Sequence, residues 1–126
     1  MRFSEVCPCG SEAAYDACCG PLHRGASLAA GPEQLMRARY AAYALGEFDY
    51  VFRTWHPRTR PDDVSTSPAL SWTGLEVVAS TADTVEFRAH FRTPAGDDVL
   101  HEVSRFEQRG GRWVYVEALS SPAGTR

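Results

Sequence analysis

The chain has 126 residues, with 13 basic and 16 acidic side chains, four histidines, a formal net charge of -3 and a pI near 5.8. That length buries one ordinary core with a small appendage and excludes two full domains. The mild acidity offers no basic field, so neither nucleic acid nor an anionic membrane surface is an expected partner. All 13 basic residues are arginine. Lysine Schiff-base chemistry is therefore excluded, and any anion contact must use a guanidinium fork.

The N-terminus "MRFSEVCPCG" has no signal-like apolar run, and no window approaches the roughly 18 apolar residues of a membrane helix. The expected setting is cytoplasmic. In that reducing compartment four cysteines within "CPCGSEAAYDACCG" point away from a disulfide scaffold and toward metal or redox chemistry.

The spacing Cys7-x-Cys9, eight residues, Cys18-Cys19 puts two tight pairs on a short connector. Such pairs are poorly placed for disulfides within themselves but can wrap one tetrahedral ion. Zinc is the natural cation, and four sulfurs leave no open coordination position, which describes a structural site. A redox dithiol would want Cys-x-x-Cys at a helix start, which is absent. A catalytic cysteine with His23 as base lacks anything to orient the pair, so His23 is expected beside the ligands or at the surface. Gly10 suits a tight turn, Ser11 a helix N-cap for "EAAYDA", and Gly20-Pro21 a stop.

"GASLAAG", Gly25 to Gly31, reads as a linker. Pro32 then opens a helix through Leu45, with Leu35, Ala38, Ala42 and Leu45 on one stripe and Gly46 closing it. A second helix in "EFDYVFRTW" presents Phe48, Val51, Phe52 and Trp55 at i, i+3, i+4 and i+7 and is expected to reach His56, where Pro57 ends it. "HPRTRPDDVSTSP" is a loop.

From Leu70 the period becomes two. "WTGLEVVAS", "VEFRAHFR", "VLHEVSRFEQ" and "RWVYVEAL" are predicted strands, the last two joined by a hairpin at Gly110-Gly111. In the second of these Val85, Phe87, Ala89 and Phe91 alternate with Glu86, Arg88, His90 and Arg92. Helices followed by a meander predict an α+β fold, with helices on one face of a curved antiparallel sheet.

The string "CPCGS…Y…CCG" resembles the SEC-C motif in its Cys-Cys form. The longer run, including "LMRARYAAYALGEFDYVFRTWHPRTRP" and "LHEVSRFEQRGGRWVYVE", is similar to the YchJ-like family over nearly the whole chain. The tail "SSPAGTR" lacks the second cysteine cluster of some members. The resemblance implies a zinc-binding SEC-C motif over 1–24, with Cys7, Cys9, Cys18 and Cys19 as ligands. Over 25–126 it implies the cone-shaped cystatin-like fold of nuclear transport factor and SnoaL-like proteins. SEC-C in the translocation ATPase that names it is an interaction module, which implies a protein or ribosome-associated partner.

In such a cone, pocket candidates are Arg39, Tyr43, Trp55, His56, Trp72, His101, Glu102 and Trp113. Adjacent His101 and Glu102 must point to opposite faces of a strand, and periodicity does not say which is inner. The leading functional expectation is a zinc-binding protein whose cone takes a small-molecule ligand or docks a partner. The alternative is a SnoaL-like enzyme doing acid–base chemistry on a small, anionic molecule. His56 or His101 would be its base, Asp49 or Glu102 the partner, and Arg39 or Arg105 the anion holder. The tryptophans are expected in the core with satisfied indole N–H groups. The sheet face bearing Arg88, His90 and Arg92 is a candidate homodimer surface.

Overall fold

The computed structural model describes residues 5–120; the outer ends of the two predicted units, 1–4 and 121–126, lie outside the described residues. Three α-helices, α1 (Cys19–His23), α2 (Pro32–Leu45) and α3 (Phe48–Arg53), precede four strands, β1 (Ser71–Ser80), β2 (Thr84–Thr93), β3 (Gly96–Arg109) and β4 (Arg112–Ser120). The strands form one antiparallel sheet in sequential order. Register shifts interrupt the β1–β2 and β3–β4 ladders, and such irregularities raise local twist and curvature. This is the α+β layout that helices followed by a meander predict, and it agrees with the cone-like fold the resemblance implies.

Proline at the first turn starts α2, and Gly46 in the left-handed region (φ 77°) ends it. Leu35, Ala38 and Ala42 turn inward onto Val85, Phe87, Ala89 and Phe106 in one buried cluster. Cys7, Cys9, Tyr15, Cys19 and Leu22 belong to that same cluster, so the cysteine segment and the cone share a core. The hairpin at Gly110-Gly111 forms as predicted, with both φ values positive.

Three local expectations are corrected. "EAAYDA" yields only a three-residue 3-10 turn, Tyr15–Ala17, and Ser11 does not cap it; the Ser11 Oγ instead lies 3.1 Å from the Cys18 Sγ. Gly20-Pro21 lies inside α1, in its first turn, where a proline costs no helical hydrogen bond. The third helix ends at Arg53 rather than His56, because β4 recruits the following backbone. Tyr115 N–H donates to Thr54 C=O and His56 N–H to Tyr115 C=O, each at 2.8 Å. No helix among the described residues is long and apolar enough to cross a membrane.

Candidate functional site

The four cysteine sulfurs converge. Their Sγ atoms all lie within 4.8 Å of one another, with Cys9 to Cys18 at 3.6 Å and Cys18 to Cys19 at 3.9 Å. Metal–sulfur bonds of about 2.3 Å at the corners of a tetrahedron would put sulfurs about 3.8 Å apart, so the donor set fits one tetrahedral cation. Cys7, Cys9 and Cys19 are buried, while Cys18 keeps partial exposure, and all four are free of disulfides. The crowding shows in the thiols themselves. Hydrogen bonds to Cys7 and Cys9, together with burial, hold the Cys19 thiol far above its usual range. The Cys9 thiol is driven down, chiefly by accepting from Cys19 and then from Cys7.

Backbone geometry sets the cage. Cys7 N–H donates to Ala13 C=O at 2.8 Å, Val6 bridges to Ala14, and Gly10 turns with φ 87°. Side chains from the cone hold the cage from below. Arg37 Nη1 donates to the Cys9 carbonyl at 2.7 Å, and Arg53 Nη2 to the His23 carbonyl at 2.7 Å. Of the two places expected for His23, the surface is corrected. The imidazole is buried, with Nε2 2.8 Å from the Ala38 carbonyl and Nδ1 2.7 Å from the Tyr15 hydroxyl. Because a carbonyl only accepts, Nε2 carries the proton and Tyr15 O–H donates to Nδ1. Desolvation lowers the His23 pKa, which favours this neutral form.

A second feature is a cavity of about 260 Å³ between α2 and the inner face of the sheet. Five of the eight pocket candidates line it: Arg39, Tyr43, Trp55, Trp72 and Glu102. Leu100, Glu102 and Ser104 face inward, so His101 faces out, where its Nε2 meets Glu86 at 2.8 Å. His56 sits on the loop after α3, its Nδ1 accepting from Arg58 N–H at 3.0 Å and its Nε2 3.8 Å from Glu107. Trp113, two residues before Tyr115 at the start of β4, lines a separate groove with Leu22, Leu28 and Arg53. Asp49 pairs with Arg53, and Arg105 with Glu107 and Glu117, all outside the cavity.

Sequence reasoning missed Tyr40, Leu100, Ser104 and Tyr115 in this lining; the inner parity of β3 would have supplied Leu100 and Ser104 had it been known. The expectation of satisfied indoles is also corrected. Trp55 and Trp72 Nε1 are buried with no partner among the described residues. Ring packing fixes their planes instead: Trp55 stands edge-on to Tyr115 at 5.0 Å, and Trp72 touches Tyr40, Tyr43 and Phe91. On the outer face the charges close on one another, with His90 3.1 Å from Glu76 and Arg92 2.7 Å from Asp97.

Comparison with known proteins matches this two-part geometry. Residues 31–118 match the family described as "YchJ, middle NTF2-like domain", and residues 4–21 match the SEC-C motif. A UPF0225 protein of Deinococcus radiodurans is 50% identical over 113 residues, covering 89% of this chain and 87% of that protein. One from Streptomyces avermitilis is 48% identical over 118 residues, covering 88% and 81%. Among solved structures, the SEC-C motif containing protein RPA3114 of Rhodopseudomonas palustris superposes with TM-score 0.80 at 38% identity, over 92% of this chain and 98% of that one. A SEC-C motif containing protein of Psychrobacter arcticus gives TM-score 0.77 at 30% identity, over 99% and 88%. A SEC-C knuckle docked on an NTF2-like cone, with relatives this similar along nearly their whole length, places the chain in the YchJ-like UPF0225 family.

Proposed function

We propose that this protein is a zinc-binding protein whose four-cysteine knuckle is structural and whose cone is a ligand pocket. The observation that carries the metal reading is the convergence of four sulfurs within 4.8 Å, three of them buried. Gathering thiolates this closely is unfavourable unless a cation neutralises them, and a set of four sulfurs leaves no position for substrate. Cys7, Cys9, Cys18 and Cys19 would hold zinc, which would supply folding free energy rather than chemistry. Free thiols in this number suit a reducing compartment, in keeping with a cytoplasmic protein.

Metal analysis of the full chain purified under reducing conditions tests this. The expected result is about one zinc per chain, with thiols that react with a disulfide reagent only after chelation. Folded, metal-free protein with four freely reactive thiols would overturn it.

The exposed side of the knuckle, which carries Val6 and part of Cys18, is proposed as a docking face for a protein or ribosome-associated partner. Support comes from the SEC-C match over 4–21. For a ribosome-associated partner, co-sedimentation with ribosomes that is lost on Val6→Asp, in protein that keeps its metal, is the expected outcome; no co-sedimentation of the wild type sinks the ribosome-associated reading. The histidine-based enzyme reading draws no support from the cavity, whose lining contains neither His56 nor His101.

A further inference from the structure

The cone cavity contains a permanent charge that the protein uses only in part. Arg39 is 4% exposed, and a guanidinium buried in a protein keeps its proton. Its hydrogen bonds to protein all leave through Nη1, to the Val51 carbonyl at 2.9 Å and the Thr54 Oγ1 at 2.8 Å. Nε and Nη2 donate to no acceptor among the described residues. They are not sealed either, because the sealed, unpartnered side-chain nitrogens there are Trp55 and Trp72 Nε1. The Nε/Nη2 edge is the one that grips a carboxylate in a two-bond fork.

The surroundings stabilise this cation without pairing it. The Trp55 and Tyr115 rings stand 5.0 and 4.7 Å from its Cζ, and ring faces attract a guanidinium. No acidic side chain lies in ion-pair contact with it among the described residues. Glu102, the acidic residue of the lining, accepts from Ser104 Oγ at 3.0 Å instead. Burial raises the Glu102 pKa, so its charge is the easier of the two to give up when an anion enters.

Apart from the hydroxyls of Thr66 and Ser104, the rest of the wall is aromatic or aliphatic, with Tyr43, Trp72, Phe87 and Leu100 among it. A volume of about 260 Å³ falls below the ~300 Å³ at which drug-sized pockets begin. A cationic ligand would meet Arg39 as a like charge, and a neutral one would leave its fork unused. Inorganic phosphate would lose its hydration to walls that offer little in return.

We infer that the cone binds a small apolar monocarboxylate of about one ring's size, its carboxylate held by the Nε/Nη2 edge of Arg39 and its body packed among Tyr43, Trp72 and Leu100. This assignment rests on the reading of the cone as a ligand pocket and names the class of ligand.

The test is an NMR titration of the full chain, following the Trp indole and Arg39 Nε–H signals with benzoate, benzamide and inorganic phosphate as probes. Benzoate should bind saturably and at least about tenfold more tightly than benzamide or phosphate, the discrimination a charge-assisted fork supplies. Arg39→Lys, which keeps the charge but loses the fork, should weaken benzoate by about tenfold and leave benzamide within about twofold. If that variant does not fold, the selectivity of the wild type among the three probes decides. Benzamide binding as tightly as benzoate overturns the carboxylate assignment and leaves the ligand pocket standing. Phosphate binding as tightly as benzoate also overturns it, in favour of a general anion site. No response of these signals to any probe overturns the pocket reading itself and the assignment with it.

Discussion

Tyr15 donates its hydroxyl proton to His23 Nδ1 across 2.7 Å, and His23 passes the connection on to the Ala38 carbonyl of α2 at 2.8 Å. The knuckle is thereby tied to the helix that carries Arg39. Tyr50 closes the other side of the imidazole at 4.8 Å between centroids. Replacing Tyr15 by Phe leaves a buried nitrogen without its donor, which costs about 1–3 kcal/mol. Denaturant unfolding should show that loss, with metal content unchanged. An unchanged midpoint would mean that the bond carries no net stability.

The same histidine gives stability a pH dependence with a definite sign. Desolvation holds its folded-state pKa below the ordinary 6.5. As pH falls, the unfolded chain takes the proton first, so the contribution of His23 is full above about pH 6.5 and declines below it until the folded-state pKa is passed. Wild-type protein should therefore lose more stability than His23→Gln between pH 7.5 and 5.5, about one unit either side of that value. Parallel losses in the two proteins would assign the acid sensitivity elsewhere.

Chelation should propagate beyond the first twenty residues. Cys7, Cys9, Cys19 and Leu22 share one buried cluster with Leu35, Val51 and Phe106, so losing the cage exposes part of the common core. A strong chelator under reducing conditions, or Cys9→Ser, should lower the thermal midpoint by about 10 °C or more, equivalent to roughly 3 kcal/mol for a domain of this size. A cone that melts at an unchanged temperature would show that the two parts are energetically independent.

Gly10 marks where the cage touches the sheet. Its φ of 87° lies in the left-handed region, and a Cβ there would stand 3.2 Å from the Leu75 carbonyl and 3.6 Å from Arg37 Nη1. Gly10→Ala should cost about 1–2 kcal/mol from the backbone conformation alone. It should also loosen the Arg37 bond to the Cys9 carbonyl, readable as faster thiol reaction in metal-loaded protein. Equal stability and equal thiol rates would contradict this geometry.

Much of this architecture was legible because it rests on local signals. Period-two runs specified the strands, Pro32 and Gly46 bounded α2, paired glycines specified the last hairpin, and the tight cysteine spacing specified a cage. The misreadings share a different origin, namely partners distant in sequence. The third helix stops at Arg53 because Tyr115, some sixty positions on, takes the Thr54 and His56 backbone groups. His23 is buried because α2 offers it a carbonyl. The choice between His101 and Glu102 is made by the face of β3 that α2 covers, and no residue of β3 encodes that choice. Trp113 lines a different groove because Leu22 and Leu28, some ninety positions earlier in the chain, are brought against the start of β4.

X-ray absorption at the zinc edge tests the central claim most directly, because it reports the atoms bound to the ion. The account predicts one zinc per chain surrounded by four sulfurs at about 2.3 Å, with no oxygen or nitrogen neighbour. A mixed shell with fewer than four sulfurs, or folded protein without the metal, would contradict it.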